Sequence, residues 1–589
     1  MAAFLGVERS LSGKSWRERA GDSNLAAALA QRHGIAEVLG RVLAARGIGL
    51  DEAAQFLDPK LRNALPDPSH LKDMDKAAER LARAVTSGER IGIFGDYDVD
   101  GATSSALLER FLIAVGGKSL IYIPDRLSEG YGPNLAALLR LQAEGVGLVV
   151  TVDCGVTAFE PLAGAAEAGI EVIVIDHHVA EPRLPLAVAV VNPNRFDEES
   201  PHRQLAAVGV AFLLAVAVNR VLRRAGWYEA RLEPDLMEWL DLVALGTICD
   251  VVPLTGLNRA LVAQGLKVMR RRGNLGLAML AEVGRVGEKL DAYHAGFILG
   301  PSVNAGGRVG ASDLGARLLT TGNEAEARDI AQRLDALNTE RREIEAQILS
   351  AAMEQAEASD PDAPLIFAWG EGWHPGVIGI VAGRLKERYN RPACVLGLAD
   401  GWAKGSGRSI AGVDLGGAVI AARQAGLLAH GGGHAMAAGF TVSAGNLKPF
   451  QDFLAERIGK QLEGRGIVPE LGIDGALSLS AATPEFVALT ERLAPFGSGN
   501  AEPRFAFSGL RVLFADIAGG QHVRCTLGDG GNGPKLKAIA FRALETPLGQ
   551  ALLQSQGTAF HVAGHLRADN WQGRQGIQLF LDDAAPAFG

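Results

Sequence analysis

The feature that most restricts this chain is a buried-type strand that ends in acids, and it recurs. Ile91 to Phe94 is a short apolar run bounded by Gly95, after which Asp96, Asp98 and Asp100 follow at alternate positions before Gly101. A helical segment, 102–115, comes next. Gly147 to Val152 repeats the pattern and stops at Asp153, and Glu171 to Ile175 repeats it again and stops at Asp176-His177-His178. Helical segments 134–144 and 158–168 lie between them. Strand, helix, strand at this spacing implies right-handed crossovers and a parallel sheet. In such sheets ligands gather beyond the carboxyl ends of the strands. One such run would pass for an acidic surface turn. Several delivered to one sheet edge need cations, because like charges this close repel.

A further candidate is Asp250, after the apolar helix-like run 239–248. Carboxylates mixed with imidazoles suit hard-to-borderline divalent ions and favour Mn²⁺ over a purely oxygen-ligated Mg²⁺. The ligands suffice for two ions, an arrangement that activates water and stabilises both oxygens of an in-line phosphoryl displacement. A hydrolase site is therefore expected.

At 589 residues the chain exceeds one core and implies three or four domains. Apolar content of 48% and charged content of 21% describe an ordinary globular protein. The formal net charge of −9 argues against non-specific coating of duplex DNA, while leaving room for a local basic groove. The cysteines, 154, 249, 394 and 525, form no CxxC pair and indicate neither zinc nor a disulfide framework. No apolar run reaches transmembrane length and no signal pattern opens the chain, so a cytoplasmic protein without membrane contact is expected.

Residues 1–85 read as a helical N-terminal region capping a catalytic sheet domain at 86–320. Within that domain a strand at 119–123 ends near Arg126, a candidate phosphate partner beside the acids. The stretch 299–310 reads as a glycine-rich loop that holds Asn304 and Arg308. It could offer backbone amides and a guanidinium to an anion. It is neither a Walker A loop nor a dinucleotide fingerprint, so ATP and NAD are not implied. Apolar spacing over 323–357 predicts one long helix connecting domains across 321–360. A second α/β lobe, 361–465, carries two glycine-framed loops. Gly405-Ser-Gly-Arg-Ser409 sets out Ser406 and Arg408 as a phosphate cradle. The stretch 430–439 reads as a loop opening a helix, with His434 beside an anion at its start. The last part, 466–589, turns to short alternating strands that suit a small barrel of the OB-fold type. Phe541, Phe560 and Trp571 are base-stacking candidates there, with core packing the expected fate of the first two. Its 9 Lys/Arg against 10 Asp/Glu over 471–589 give no basic signature.

Asp98-Val-Asp100-Gly, Asp153 and Asp176-His177-His178 resemble the motifs of the DHH phosphoesterase superfamily. The fuller Gly95-Asp-Tyr-Asp-Val-Asp-Gly101 form resembles its RecJ family of single-strand-specific 5′→3′ DNA exonucleases. So do the lead-ins Leu57-Asp-Pro-Lys and Leu65-Pro-Asp-Pro, the 299–310 stretch and Pro495-Phe-Gly-Ser-Gly-Asn500. Trp373 to Gly379, with the two loops of the second lobe, resembles the DHHA1 lobe found beside DHH domains. The resemblance implies two ions, Mn²⁺ or Mg²⁺. Asp96, Asp98 and Asp153 would hold one; Asp100, Asp153, His177 and Asp250 would hold the other. His178 and Asp153 would be catalytic, and Arg126, Asn304, Arg308, Ser406, Arg408 and His434 would bind substrate. It further implies release of 5′-mononucleotides, a place in DNA repair and recombination, a monomer, and single-strand-binding protein and a helicase as partners. The rival within the superfamily is a phosphodiesterase for short oligonucleotides or cyclic dinucleotides. The regions flanking the two lobes favour a polymeric substrate.

Overall fold

A computed structural model describes residues 2–126, 128–463, 468–531, 533–555, 557–569 and 576–587. The strands expected to end in acids form one parallel sheet in the spatial order Lys118–Tyr122, Arg90–Phe94, Val146–Val152, Glu171–Ile175, Ala189–Val191. Successive strands run to opposite sides of Arg90–Phe94, so the order reverses between it and Val146–Val152. Such a reversal splays the loops apart and opens a crevice at the strands' carboxyl ends. One sheet face is covered by Met74–Ser87, Val99–Ala114 and Ala207–Arg224, which bury Leu81, Leu107, Phe111 and Phe212. Leu135–Ala143 and Phe159–Glu167 cover the other with Leu138 and Leu162.

The connecting helix is Glu324–Ala358, capped by the Asn323 side chain, which accepts from the N–H groups of Ala325 and Glu326. Its first half buries Ile330, Ala331 and Leu334 in the catalytic core, and its second half buries Ile348, Ala352 and Ala356 against Val377, Ile378 and Val381. The two lobes are thus fixed to one rod. The second lobe is a five-stranded sheet in the order His430–His434, Ala437–Ser443, Trp402–Arg408, Ala393–Ala399, Ile366–Glu371.

Three glycine-rich readings are corrected. Residues 300–309 are a helix, Gly300–Val309, entered through a wide π-type turn at Ala295–Leu299. Buried Gly306 and Gly307 serve close packing there: a Cβ on Gly307 would come within 2.6 Å of the Tyr97 carbonyl oxygen. Ser406 and Arg408 lie on the strand Trp402–Arg408 instead of a loop, and His430 and His434 end one arm of a hairpin instead of starting a helix. Glycine composition signalled turns, whereas pairing with Ala393–Ala399 and Ala437–Ser443 decided the outcome.

The C-terminal unit is a closed barrel. Phe505–Ala518 pairs with His522–Gly528 and with Ala559–Asp569, and Gly576–Pro586 links Ala559–Asp569 to Leu536–Ala540. Phe560 is buried as expected, whereas Phe541 is 52% exposed, stacked edge-on against His522 and Phe580. Trp571 lies outside the described residues.

The N-terminal region is not purely helical. Ser15–Glu18 is a strand, parallel to Glu470–Ile473. Fully buried Trp16 packs among Ala506, Ala563 and Ala585, and its indole Nε1 donates to Asp583 Oδ2 at 3.0 Å. Helices Ser23–His33 and Glu37–Ala45 pack on Leu493 and Phe496, so this region clamps the barrel's root as well as capping the sheet. Among the described residues no helix is long and apolar enough to cross a membrane.

Trp16→Phe keeps most of the packing and removes the donor to a fully buried carboxylate, a loss of about 1–3 kcal/mol. Hydrogen exchange should then quicken in Ser15–Glu18, Phe505–Ala518 and Ala559–Asp569, with protection in the catalytic sheet unchanged.

Candidate metal centre

Each acid is placed by the element it terminates. Asp98 caps Val99–Ala114, accepting from the Gly101 N–H at 3.0 Å. The next turn must pass close by, and a Cβ on Gly101 would meet the Asp96 backbone nitrogen at 2.6 Å. Asp100 is sealed under the start of Ala207–Arg224, accepting from the N–H groups of Ala207 at 2.7 Å and Val208 at 2.9 Å. Asp153 turns off its strand at φ 60°, a left-handed conformation uncommon for aspartate, and its N–H donates to the Ile175 carbonyl. Asp250 closes Leu240–Cys249.

These elements bring the ligand atoms together. Asp96, Asp98 and Asp153 form one group and Asp100, His177 and Asp250 another, each with ligand atoms within 4.8 Å of one another. Asp153, His177 and His178 form an overlapping third. His177 Nε2 lies 3.3 Å from Asp153, 3.6 Å from Asp250 and 3.8 Å from Asp100. Four buried atoms here, Asp96 Oδ1, Asp153 Oδ1, His177 Nε2 and Asp250 Oδ2, have no hydrogen-bond partner among the described residues. Unpaired buried polar atoms are costly and rare. Spread over these overlapping groups, they supply the carboxylate and imidazole donor set of divalent-ion sites, which is the fit a metal requires.

The electrostatics agree. Burial together with Asp98 pushes Asp96 up to about 8 and Asp250 up to about 7. Burial and neighbouring acids raise Asp100 and Asp153 well above the carboxylate range. His177 is pushed down to about 4 by burial and by His178. Burial also opposes charge on His178, but the bond and charge of Asp176 outweigh it and lift the imidazole to about 9.

Asp176 belongs to the scaffold. Its Oδ1 accepts from the N–H groups of His177 and His178 and lies 2.8 Å from His178 Nδ1, while Oδ2 accepts from Val156 N–H at 3.0 Å. Asn194 and Asn192 hold the carbonyls of His177 and His178. Sequence reasoning missed Tyr131, whose hydroxyl donates to the Asp153 carbonyl at 3.0 Å and lies 3.4 Å from His178 Nδ1. The one signal for it was its glycine frame, Gly130 and Gly132, both at positive φ.

A cationic group faces this centre across the lobes. The Arg126 guanidinium lies over the Tyr97 ring at 5.0 Å. Arg308 Nη1 donates to the Gly376 carbonyl of the second lobe at 2.8 Å, and Arg408 Nη1 donates to Ser406 Oγ at 2.9 Å. Burial, then the charge of Arg126, lowers Arg308 to about 10 and also lowers Arg408 and His374. His374 was not singled out from sequence. Asn304 lies half-buried on the helix that carries Arg308. His434 stands apart: it is exposed, its Nδ1 accepts from Met436 N–H, and only sheet register relates it to Arg408.

Residues 90–247 match the DHH family, N-terminal domain; residues 362–460 match the DHHA1 domain; residues 473–583 match the RecJ OB domain. The chain is 38% identical over 561 residues to the single-stranded-DNA-specific exonuclease RecJ of Dickeya dadantii (93% of this chain, 96% of the relative). It is 37% identical over 562 residues to that of Escherichia coli (93% and 96%). The crystal structure of RecJ in complex with Mn²⁺ from Thermus thermophilus superposes with a TM-score of 0.80 at 30% identity, covering 97% of this chain and 79% of that one. The Mg²⁺ complex from the same organism gives 0.75 at 29%, covering 97% and 78%.

Raised carboxyl pKa values stabilise the metal-free fold below about pH 4, and that stabilisation is lost as pH rises through about 7 to 8. His178, also raised, adds a loss through about 9. His177, depressed, works in the opposite sense only between about 4 and 6.5. In chelator, the melting temperature should therefore fall from about pH 6.5 to 9, and Mn²⁺ should reverse the fall more strongly at the higher pH. A flat profile in chelator would refute this electrostatic account.

Proposed function

The chain belongs to the RecJ family of single-stranded-DNA-specific exonucleases, and from that premise we propose a 5′→3′ activity that releases 5′-mononucleotides by two-metal-ion hydrolysis in DNA repair and recombination. It is a metal-dependent exodeoxyribonuclease that takes Mn²⁺ or Mg²⁺. The observation that carries the mechanism is that four unpaired buried ligand atoms lie within adjoining acid–imidazole groups at the sheet's switch point, opposite a cluster of arginines.

Asp96, Asp98 and Asp153 would hold one ion, and Asp100, Asp153, His177 and Asp250 the other, with Asp153 shared. The ions supply water activation and neutralise charge that builds on the phosphate. Asp176 engages His178 at Nδ1, which leaves Nε2 to meet the scissile phosphate or orient the attacking water. Tyr131 steadies both the Asp153 backbone and the His178 ring. Arg126 and Arg308 from the catalytic domain, with Ser406 and Arg408 from the second lobe, would receive the terminal phosphate; guanidinium groups bind such oxygens bidentately. Gripping the end from both lobes puts the first phosphodiester over the acids and gives polarity. The N-terminal clamp and closed barrel favour a polymer over a dinucleotide substrate. Single-strand-binding protein and a helicase as partners, a monomeric state and a cytoplasmic location complete the reading.

Asp153→Ala should reduce turnover below detection while circular dichroism stays native, because one loss unhooks both ions. Cleavage that persists in this variant, or in excess chelator, refutes the two-metal mechanism. Arg408→Ala should lower kcat/KM on 5′-phosphorylated strands about tenfold or more, the scale of a charge-assisted hydrogen bond, and should affect 5′-hydroxyl strands much less. Equal losses on both, or digestion from the 3′ end of an end-labelled strand, would show the pocket to be misplaced.

A further inference from the structure

Side chains from the N-terminal region finish one edge of the catalytic sheet. Ala189–Val191 is its last described strand, so the outer N–H and carbonyl of Val190 have no strand to pair with. The N–H donates to Asp73 Oδ2 at 3.1 Å, and the carbonyl accepts from Arg195 Nη1 at 2.7 Å. Arg195 Nη1 also donates to the same Asp73 oxygen at 2.9 Å, closing a clasp between residues 122 positions apart. Asp73 forgoes a local role to make it. The residue stands at the N-cap of Met74–Ser87, where an aspartate ordinarily accepts from the first amides, yet it makes no such bond. Its backbone is left-handed, at φ 62° and ψ 0°, which is uncommon for any residue but glycine. Strained residues of this kind persist where the surroundings over-determine them. Arg195 is only 6% exposed, and Asp73 and Asp197 are the acids that balance its charge.

What the clasp steadies begins at the next residue. Asn194 Nδ2 donates to the His177 carbonyl at 2.6 Å and to the Arg203 carbonyl at 3.1 Å, so one amide braces the ligand's backbone against the loop behind it. The Asn194 N–H donates to Asn192 Oδ1 at 2.7 Å, and Asn192 Nδ2 donates to the His178 carbonyl at 2.8 Å. Segment 192–206 then enters Ala207–Arg224, whose first amides hold Asp100. A second tie fastens this segment to the same N-terminal stretch. Buried Glu198 accepts from the Lys72 N–H at 2.9 Å, and Ser200 Oγ lies 2.9 Å from His70 Nε2. Asp96 and Asp98, by contrast, follow the strand Arg90–Phe94. The clasp therefore bears on the group of Asp100, His177 and Asp250 through His177.

We propose that Asp73 is a positioning residue for the ion held by Asp100, Asp153, His177 and Asp250, acting through Arg195 and Asn194 on the backbone of His177. This rests on the two-ion reading above and deepens it: a region that supplies no ligand sets the geometry of one ion site and not of the other. Groups behind a ligand orient it, and their loss typically lowers metal affinity about 10–100-fold. Asp73 touches neither ion nor substrate in this scheme. Its effect is on where the His177 ring stands.

The test uses the full chain and follows Mn²⁺ binding by calorimetry, with hydrogen exchange alongside. The native protein should bind two ions. Asp73→Gly relieves the left-handed turn while removing the acceptor. It should weaken one ion about tenfold and the other less than about twofold, with faster exchange at 177–178 and 190–206. Asp73→Asn keeps an acceptor oxygen and tolerates the same φ, so it should hold both ions within about threefold of native. Asn194→Ala cuts the path beyond the clasp and should reproduce the one-ion loss; it decides the matter if Asp73→Gly does not fold. Native affinity for both ions in Asp73→Gly would make Asp73 a turn residue only and overturn the proposal. Equal weakening of both ions, or loss of binding in Asp73→Asn, would overturn it as well, leaving the two-ion reading intact. Binding of a single ion by the native protein would overturn that reading and the proposal with it.

Discussion

Mutual repulsion among buried acids governs this molecule. Asp96, Asp100 and Asp153 are almost wholly enclosed, and Asp98 and Asp250 lie beside them. Without a cation this arrangement costs free energy, expressed as carboxyl groups that hold their protons far above the usual range. The fold sustains it by overdetermination. Asp100 is pinned by two amides at a helix start, Asp98 serves as a helix cap, and Asp153 is turned aside by its strained backbone. Each device derives from an element anchored in a large core, so the strain at the centre is borne by packing elsewhere.

Legibility in the sequence followed the range of the interactions concerned. The parallel sheet was readable because each strand carries its own apolar run and its own terminal acid. Asp96, Asp98, Asp100, Asp153 and His177 then come together because crossover rules leave few other arrangements, whereas Asp250 arrives from the end of a helix. The long helix was readable from its apolar spacing. Glycine-rich stretches misled, since glycine permits a turn without requiring one. At 300–309 it serves close packing against Tyr97, and at 405–407 it lies in a paired strand. Ser15–Glu18 could not be read, because its partner strand lies more than 450 residues away. Tyr131 and His374 were hidden for a related reason: their roles depend on contacts, not on pattern.

The barrel is more than an appendage, and the reason lies with an arginine that no carboxylate partners among the described residues. Arg259 is 2% exposed, and burial pushes its pKa down to about 9. Its guanidinium donates to the carbonyls of Phe56, Leu493, Ala494 and Pro495 while lying 3.8 Å from the Phe56 ring centre. One side chain thus ties the N-terminal helices, the catalytic domain and the segment that leads into the barrel. Nearby, Leu254 N–H donates to the Ser498 carbonyl at 2.7 Å, and a Cβ on Gly499 would approach Pro253 within 2.9 Å. Pro253 and Leu254 follow Asp250 by only three and four residues. The barrel's root therefore packs directly behind the candidate ligand Asp250. Removing the chain from about 470 onward would strip support from Asp250 along with the barrel, so such a truncation cannot separate binding from chemistry. Separation has to come from side chains that face solvent, well away from Arg259 and the 493–500 segment.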